Sequence, residues 1–298
     1  MLTHPAFDPV AISLGPLQIH WYGLMYLAGF AFVYVLGKRL AKQQKVPFSA
    51  EQVDDLVFYA AMGVVIGGRL GYVLFYDFSR FLENPLWAIQ VWKGGMAFHG
   101  GLIGVIVGLS LFAHKHHYPK GAILDFAALA APVGLFFGRI GNFIGQELWG
   151  RASDLPWAMV FPRDPLLLAR HPSQLYEAFA EGLLLFIVIY VFSRQPRPFF
   201  SAGGIFLLGY GSARFCIEFV REPDSHIGYD LFDWVSRGQI LSTPMIIAGV
   251  VFIVWSYKTQ PTLQHWQAQQ ALSKSRQVST KKKHSKKISK QRSKNAAK

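Results

Sequence analysis

Charge is scarce in this chain of 298 residues: Asp, Glu, Lys and Arg make up 16% of it, against 52% hydrophobic residues and a mean hydropathy of +0.25. Soluble domains carry roughly 25% charged residues, so the composition argues against a water-soluble globular enzyme. Cysteine is nearly absent, and the single Cys216 cannot close an intrachain disulfide, so no redox compartment follows from it. Acidic residues are missing from 258–298, which holds 12 Lys and Arg, while the rest of the chain sums to only +1. The net charge of +13 is therefore the property of a tail, which removes most of the case for a duplex-binding domain; no nucleic-acid partner is expected. Lys and Arg are also missing from the first 18 residues, leaving no basic n-region for a cleavable signal peptide. The first apolar segment is expected to be retained.

What the sequence has instead is long apolar runs. A bilayer core about 30 Å thick takes roughly 20 apolar helical residues to cross, and seven runs qualify, near residues 17–37, 55–76, 95–113, 122–140, 174–193, 203–220 and 240–257. The expected fold is an all-α polytopic membrane protein with about seven transmembrane helices. Lys38, Arg39, Lys42 and Lys45 follow the first run and the basic tail follows the last. Since short cytoplasmic loops are enriched in Lys and Arg, the N-terminus is expected outside and the C-terminus inside. The expected organisation is a membrane-embedded unit over 1–257, with a small extracytoplasmic cap built from about 143–173 and 221–239. A basic tail over 258–298, poor in apolar residues after Trp266, is expected to be disordered. The tail either attracts anionic inner-leaflet lipid or merely solvates that end and helps fix topology.

Ionisable side chains within bilayer spans are expensive and tend to mark sites. Arg69, His99, Asp125, Arg139, Glu177, Glu181, Arg214 and Glu218 fall within the runs. With successive runs alternating in direction, Arg69, Arg139, Arg214, Glu218, His99, Glu177 and Tyr26 gather in the outer half of the membrane. Asp125, at an inner helix start, suits an N-cap. Tyr210, Arg214, Glu218 and Arg221 are spaced by four, four and three and so share one helix face. An ion pair accounts for Glu218, whereas Arg69, Arg139 and Arg214 have no obvious carboxylate for each. Three guanidiniums at one depth suit an anionic ligand, because the Arg fork matches phosphate oxygens. A phospholipid headgroup fits, and so does a transported anion. A transporter would be expected to show an internal repeat and access from both faces; no repeat is visible and the charges lie to one side.

From Gly138 the sequence reads Gly-Arg-Ile-Gly-Asn-Phe-Ile-Gly-Gln-Glu-Leu-Trp-Gly-Arg, ending at Arg151. This run resembles the signature of the prolipoprotein diacylglyceryl transferases. The region Tyr22 to Tyr26, the run from Phe98 through His99 and Gly100 to Gly101, the run from His171 to Ala178, and Tyr210 through Arg214 and Glu218 to Arg221, Pro223 and Asp224 match in order and spacing. One departure stands inside the signature: Gly145 replaces the usual Asn, and Gln146 the Gly that follows it, so the amide is moved by one position.

The resemblance implies a multi-pass protein of the bacterial inner membrane with its active site toward the periplasm. The implied reaction is transfer of the diacylglyceryl group of phosphatidylglycerol to the lipobox cysteine thiol of a preprolipoprotein signal peptide. A thioether forms and glycerol phosphate leaves, in the first step of lipoprotein maturation. The partners would be those two substrates and membrane lipids. No cofactor or metal is expected, and since the nucleophile belongs to the substrate, Cys216 is read as packing. The resemblance points to His99 for proton handling and to Arg139 and Arg214 for the phosphate. His99 acts either as general base or by positioning a group through hydrogen bonds. Tyr26 either bonds the headgroup or anchors at the interface. Asn142 and Glu147 sit near the end of the Arg139 helix, with Glu147 an orienting acceptor for an Arg or for glycerol hydroxyls. Gly150 is a backbone requirement, and Arg69, Tyr210, Glu218 and Arg221 complete the expected substrate-binding set. Gly94, Gly95, Gly100, Gly101 and Gly104 flank His99, and either break that segment to admit lipid or allow close helix packing.

Overall fold

A computed structural model describes residues 2–15, 17–222, 236–273 and 275. Two short strands, β1 (Leu2–Thr3) and β2 (Val10–Leu14), are followed by β3 (Leu17–His20), which leads directly into helix α1 (Trp21–Lys42). Then come α2 (Gln52–Phe75), the short α3 (Phe78–Glu83), two 3₁₀ turns (Pro85–Ile89 and Val91–Lys93), α4 (Phe98–Lys115) and α5 (Lys120–Gly145). Strands β4 (Met159–Val160) and β5 (Ala169–Arg170) precede α6 (Ser173–Glu177), a π-helical segment Ala178–Leu184, α7 (Leu185–Phe192), α8 (Ser201–Ile217) and α9 (Arg237–Thr259).

Each of the seven apolar runs is a helix, and among the described residues six are long and apolar enough to cross a membrane. The other, α8, has 17 residues. Large apolar side chains such as Leu27, Val35, Phe58, Ile103 and Val251 stand exposed along the helices, as a bilayer solvent permits. The buried apolar core is gathered at one end of the bundle. There, late α1 (Leu36, Leu40) meets early α2 (Val53, Leu56), late α4 (Leu109, Phe112), early α5 (Ile123, Phe126), Ile189 of α7 and Ala202 of α8. Toward the opposite end, buried polar and charged side chains join the apolar ones, among them Arg69, Glu177, Glu181 and Glu218.

Two features set the helix positions. Gly63, Gly67 and Gly71 of α2 recur every fourth residue, as do Gly100, Gly104 and Gly108 of α4, and the two rows meet backbone to backbone. A Cβ on Gly104 would overlap the Gly63 carbonyl, and one on Gly100 would overlap that of Gly67. Of the glycines around His99, Gly100 and Gly104 therefore serve close helix packing, while Gly94 and Gly95 lie in a positive-φ turn before the helix, and α4 runs unbroken through Gly100, Gly101 and Gly104. Asp125 departs from the expected role. Its carboxylate accepts the amides of Phe200 (2.7 Å) and Gly203 (2.8 Å), so it caps the start of α8 from the neighbouring helix. The first turn of α5, by contrast, begins at Lys120 after Pro119, with no side-chain cap.

The structure adds strands that the all-α expectation omitted. β1 pairs in parallel with β4, β4 pairs antiparallel with β5, and β2 and β3 form a hairpin. The sheet ties the N-terminus to residues 147–172, the first part of the expected cap. Its fastener is Asp164, which takes Arg170 Nε at 2.5 Å while accepting the amides of Leu166 (3.1 Å) and Leu168 (3.2 Å). Most of the second part of the cap, 223–235, lies outside the described residues, as do Pro223, Asp224 and the tail from 276. The described start of the tail differs from the disordered expectation: residues 263–273 are helical, and Trp266 packs edge-on to Tyr118 at 6.4 Å. A single aromatic anchor gives that stretch a tertiary contact that composition did not reveal.

Gly104→Val is expected to destabilise the protein by about 1–3 kcal/mol or prevent insertion, because α2 and α4 must separate to admit the side chain. Gly101→Ala, whose Cβ would find only ordinary contacts from 3.7 Å outward, should melt within about 0.5 kcal/mol of wild type. Thermal unfolding in detergent compares the two. Burial pulls the Asp164 carboxyl upward, but Arg170 and the Leu166 and Leu168 amides outweigh it and hold the group below its ordinary 3.8. A carboxylate with a lowered folded-state value contributes its full stability above about pH 4 and loses it as pH falls through that lowered value. The cap should accordingly loosen only in strong acid. Asp164→Ala removes the closer of the two carboxylates on the buried Arg170 guanidinium, the other being Glu222 at 3.3 Å, and should loosen the cap already at neutral pH, by about 1–3 kcal/mol, read by proteolysis of residues 147–172.

Candidate active site

At the polar end of the bundle three arginines converge on one carboxylate. Glu177, fully buried at the end of α6, receives Arg139 Nε from α5 at 3.1 Å on Oε2. On Oε1 it receives Arg214 Nη1 from α8 at 2.6 Å and Arg221 Nη1 at 3.7 Å. Arg139 Nη2 reaches a second buried carboxylate, Glu181, at 3.4 Å, and Arg214 Nη2 reaches Glu218 one turn on at 3.0 Å. Tyr210, one turn before Arg214, lies within electrostatic reach of Glu177, Glu181, Arg139 and Arg214. Tyr210 and Arg214 of α8, Glu218 at its end and Arg221 beyond it thus face one cluster.

Its assembly follows from local backbone. The π-helical segment Ala178–Leu184 carries Glu181 and seats Gly182 against Phe136 of α5, where a Cβ would fall 2.6 Å from the Phe136 Cβ. That approach brings Glu177 and Glu181 to Arg139. π segments inside α-helices are frequent at functional sites. The two sequence motifs are fastened to each other: Gln174 Nε2 donates to the Glu147 carbonyl (2.7 Å), Ser173 Oγ to that of Leu148 (3.0 Å), and the Gly150 amide to that of His171 (2.9 Å). A Cβ on Gly150 would lie 2.5 Å from the Val220 carbonyl oxygen and 2.7 Å from the His171 Cβ, so only glycine fits there. Arg151 Nε donates to the Arg221 carbonyl at 2.8 Å and holds the chain that follows α8.

The other expected site residues take different places. The Asn142 carbonyl accepts the Glu147 amide at 2.9 Å and closes the end of α5. Glu147 is exposed at the rim; Tyr22, packed on Gly141, lies within reach of its charge and that of Arg139 and meets Tyr26 hydroxyl to hydroxyl at 3.2 Å. Tyr26 thereby touches the edge of the cluster through Tyr22. His99, exposed in the first turn of α4, makes a ring contact with Phe98 and, among the described residues, no hydrogen bond or ion pair with the arginines. The shifted amide serves the cap: Gln146, left-handed at φ 55°, accepts the Arg163 amide at 3.0 Å, and the Arg163 guanidinium donates to the Gly145 carbonyl at 2.9 Å.

Arg69 does not join the other cations. Its guanidinium is buried over the Trp87 ring at 4.4 Å. It donates to the carbonyls of Trp87 (2.6 Å), Ala88 (2.8 Å), Gly94 and Gly95. It organises the turn at Gly94 and Gly95, both at positive φ, three residues before α4 begins. The reading of Arg139 and Arg214 as cations lacking carboxylates also changes, since Glu177 and Glu181 serve them. Sequence reasoning counted both acids as intramembrane charges but left them out of the site. The signal was there in their spacing of four, which puts both on one helical face.

Guanidiniums held from separate elements in a buried, water-poor setting form a preorganised receptor for developing anionic charge. Comparison with known proteins gives the family. The profile of the family described as prolipoprotein diacylglyceryl transferase matches residues 9–255. The chain is 53% identical over 269 residues to the phosphatidylglycerol–prolipoprotein diacylglyceryl transferase of Acinetobacter baumannii, covering 89% of this chain and 98% of that protein. It is 54% identical over 261 residues to the enzymes of the same name from Acinetobacter baylyi (87% of this chain, 95% of that protein) and Photobacterium profundum (87% and 97%). With its signature run folded around the Arg139 and Arg214 pair, the chain belongs to the prolipoprotein diacylglyceryl transferase family.

Proposed function

We propose that this chain transfers the diacylglyceryl group of phosphatidylglycerol to the lipobox cysteine of a preprolipoprotein, with the lipid phosphate docking on Arg139 and Arg214. The single observation that carries the reading is the convergence of those two guanidiniums, from α5 and α8, on Glu177. The phosphodiester arrives with one negative charge. When the substrate sulfur attacks the glycerol carbon, the carbon–oxygen bond breaks and its electron pair leaves with the phosphate, which then carries a second charge. Fixed guanidiniums stabilise that charge without reorganisation. The thiol, ordinarily near pKa 8.5, must lose its proton, and His99, exposed at the start of α4, is the group that takes it. Tyr26 with Tyr22, and Glu147 with Asn142, line the headgroup's approach, while Tyr210, Glu218 and Arg221 complete the receptor. Arg69 supports the loop that presents His99.

In the membrane, all seven helices cross, with the N-terminus and the cap on the periplasmic side of the inner membrane and the basic tail in the cytoplasm. Lys38, Arg39, Lys42 and Lys45 at the inner end of α1 support that orientation.

Replacing Arg139 or Arg214 with Ala should lower transfer of labelled diacylglyceryl to a lipobox peptide by about 10²–10³, with Lys recovering only part. Near wild-type turnover in both would remove the phosphate receptor. His99→Gln should lose activity and flatten the rise of the rate with pH; an unchanged pH profile would take the proton role from His99 while leaving the transferase reading in place.

A further inference from the structure

The charge balance of the cluster points to something the reaction scheme does not contain. Among the described residues, three guanidiniums (Arg139, Arg214, Arg221) face three carboxylates (Glu177, Glu181, Glu218), so the unliganded cluster is formally neutral. Arg stays charged at any working pH, so its side of the balance is fixed. A bound phosphodiester would add one negative charge in a setting where an uncompensated buried charge costs several kcal/mol. The cheapest remedy is a proton on one carboxylate.

The carboxylates are not equivalent. Glu177 is gripped by three arginines, and Glu218 is held by Arg214 at 3.0 Å. Glu181 is fully buried and has one cationic partner, Arg139, at the longer distance of 3.4 Å, through Oε2 alone. Its Oε1 is buried with neither a hydrogen bond nor an ion pair among the described residues, whereas Glu177 Oε2 and Glu218 Oε2, which also lack a hydrogen bond, face Arg139 Nε at 3.1 Å and Arg214 Nη2 at 3.0 Å; an ionised Oε1 is poorly stabilised there and a carboxyl O–H would have a use. The charges around it are Arg139 from α5, Arg214 from α8 and Glu177 one turn before it, with the Tyr210 hydroxyl nearby. A phosphate oxygen on Arg139 and Arg214 would compete with the long Glu181 contact first.

We propose that docking of the phosphate headgroup is coupled to uptake of one proton by Glu181, which turns a counter-ion of Arg139 into a neutral hydrogen-bond donor beside the ligand. The inference rests on the Arg139 and Arg214 cluster being the phosphate receptor. Because the liganded state binds the extra proton, headgroup affinity weakens as pH rises, by up to tenfold per unit.

The test uses the full chain in phosphatidylcholine nanodiscs, titrated calorimetrically with short-chain phosphatidylglycerol and no peptide, in two buffers of different ionisation enthalpy. Wild type should take up close to one proton per lipid bound, and Glu181→Gln should bind lipid with no proton uptake and no pH dependence. Should Glu181→Gln fail to fold, an infrared difference spectrum of wild type must gain a protonated-carboxyl band on lipid addition. Binding without proton uptake in wild type, uptake that persists in Glu181→Gln, or no such band overturns the inference and leaves the phosphate receptor standing. Absence of phosphatidylglycerol binding in wild type overturns the receptor itself, and the inference with it.

Discussion

Glu177 is the pin on which the polar end of this protein turns. It sits at the junction of α6 and the π-helical segment and binds guanidiniums from α5, from α8 and from the chain beyond α8. Without it, Arg139 and Arg214 would face each other as like charges inside a low-dielectric bundle. With it, their forks are held at fixed angles against carboxylates. A buried ion pair of this kind is poor evidence for stability, since desolvation offsets most of the attraction. Its value lies in geometry, because it specifies where two cations stand before any anion arrives.

The rest of the architecture serves that placement at a distance. The apolar core lies at the far end of the bundle, and Asp125 fastens the start of α8 there, one helix length from Arg214. At the near end, the signature run and the run from His171 are tied by the Gly150 amide and by the Ser173 and Gln174 side chains, all donating to main-chain carbonyls, so the loop after α5 and the start of α6 move as one piece. Asp164 with Arg170 then closes the cap above them.

How much of this could be read from the sequence depends on the range of the interaction. The helices were legible because a span is a local property, a run of apolar residues long enough for a bilayer. The shared face of Tyr210 and Arg214 was legible for the same reason, although the helix stops at Ile217 and Arg221 reaches the cluster from the chain beyond it. The pairing of cations was not, because Arg139 and Arg214 meet a carboxylate about forty residues away in the chain, and no spacing rule connects them. Arg69 misled for a related reason: a buried guanidinium can be satisfied by backbone carbonyls, which every sequence has and none advertises. Asp125 likewise caps a helix by accepting the amide of Phe200, 75 residues later. The strands near the N-terminus escaped notice because β1 and β4 are two residues each and are set by their partners.

The row of glycines between α2 and α4 has a bearing on traffic. Two helices in backbone contact along three turns leave no seam wide enough for an acyl chain, and they behave as a single plank. On the proposed reading, a bulky two-tailed molecule moving between the bilayer and the arginines has to pass along some other flank of the bundle. Any breathing that admits it must come from helices that meet through side chains, whose rotamers can swing aside while the plank stays still.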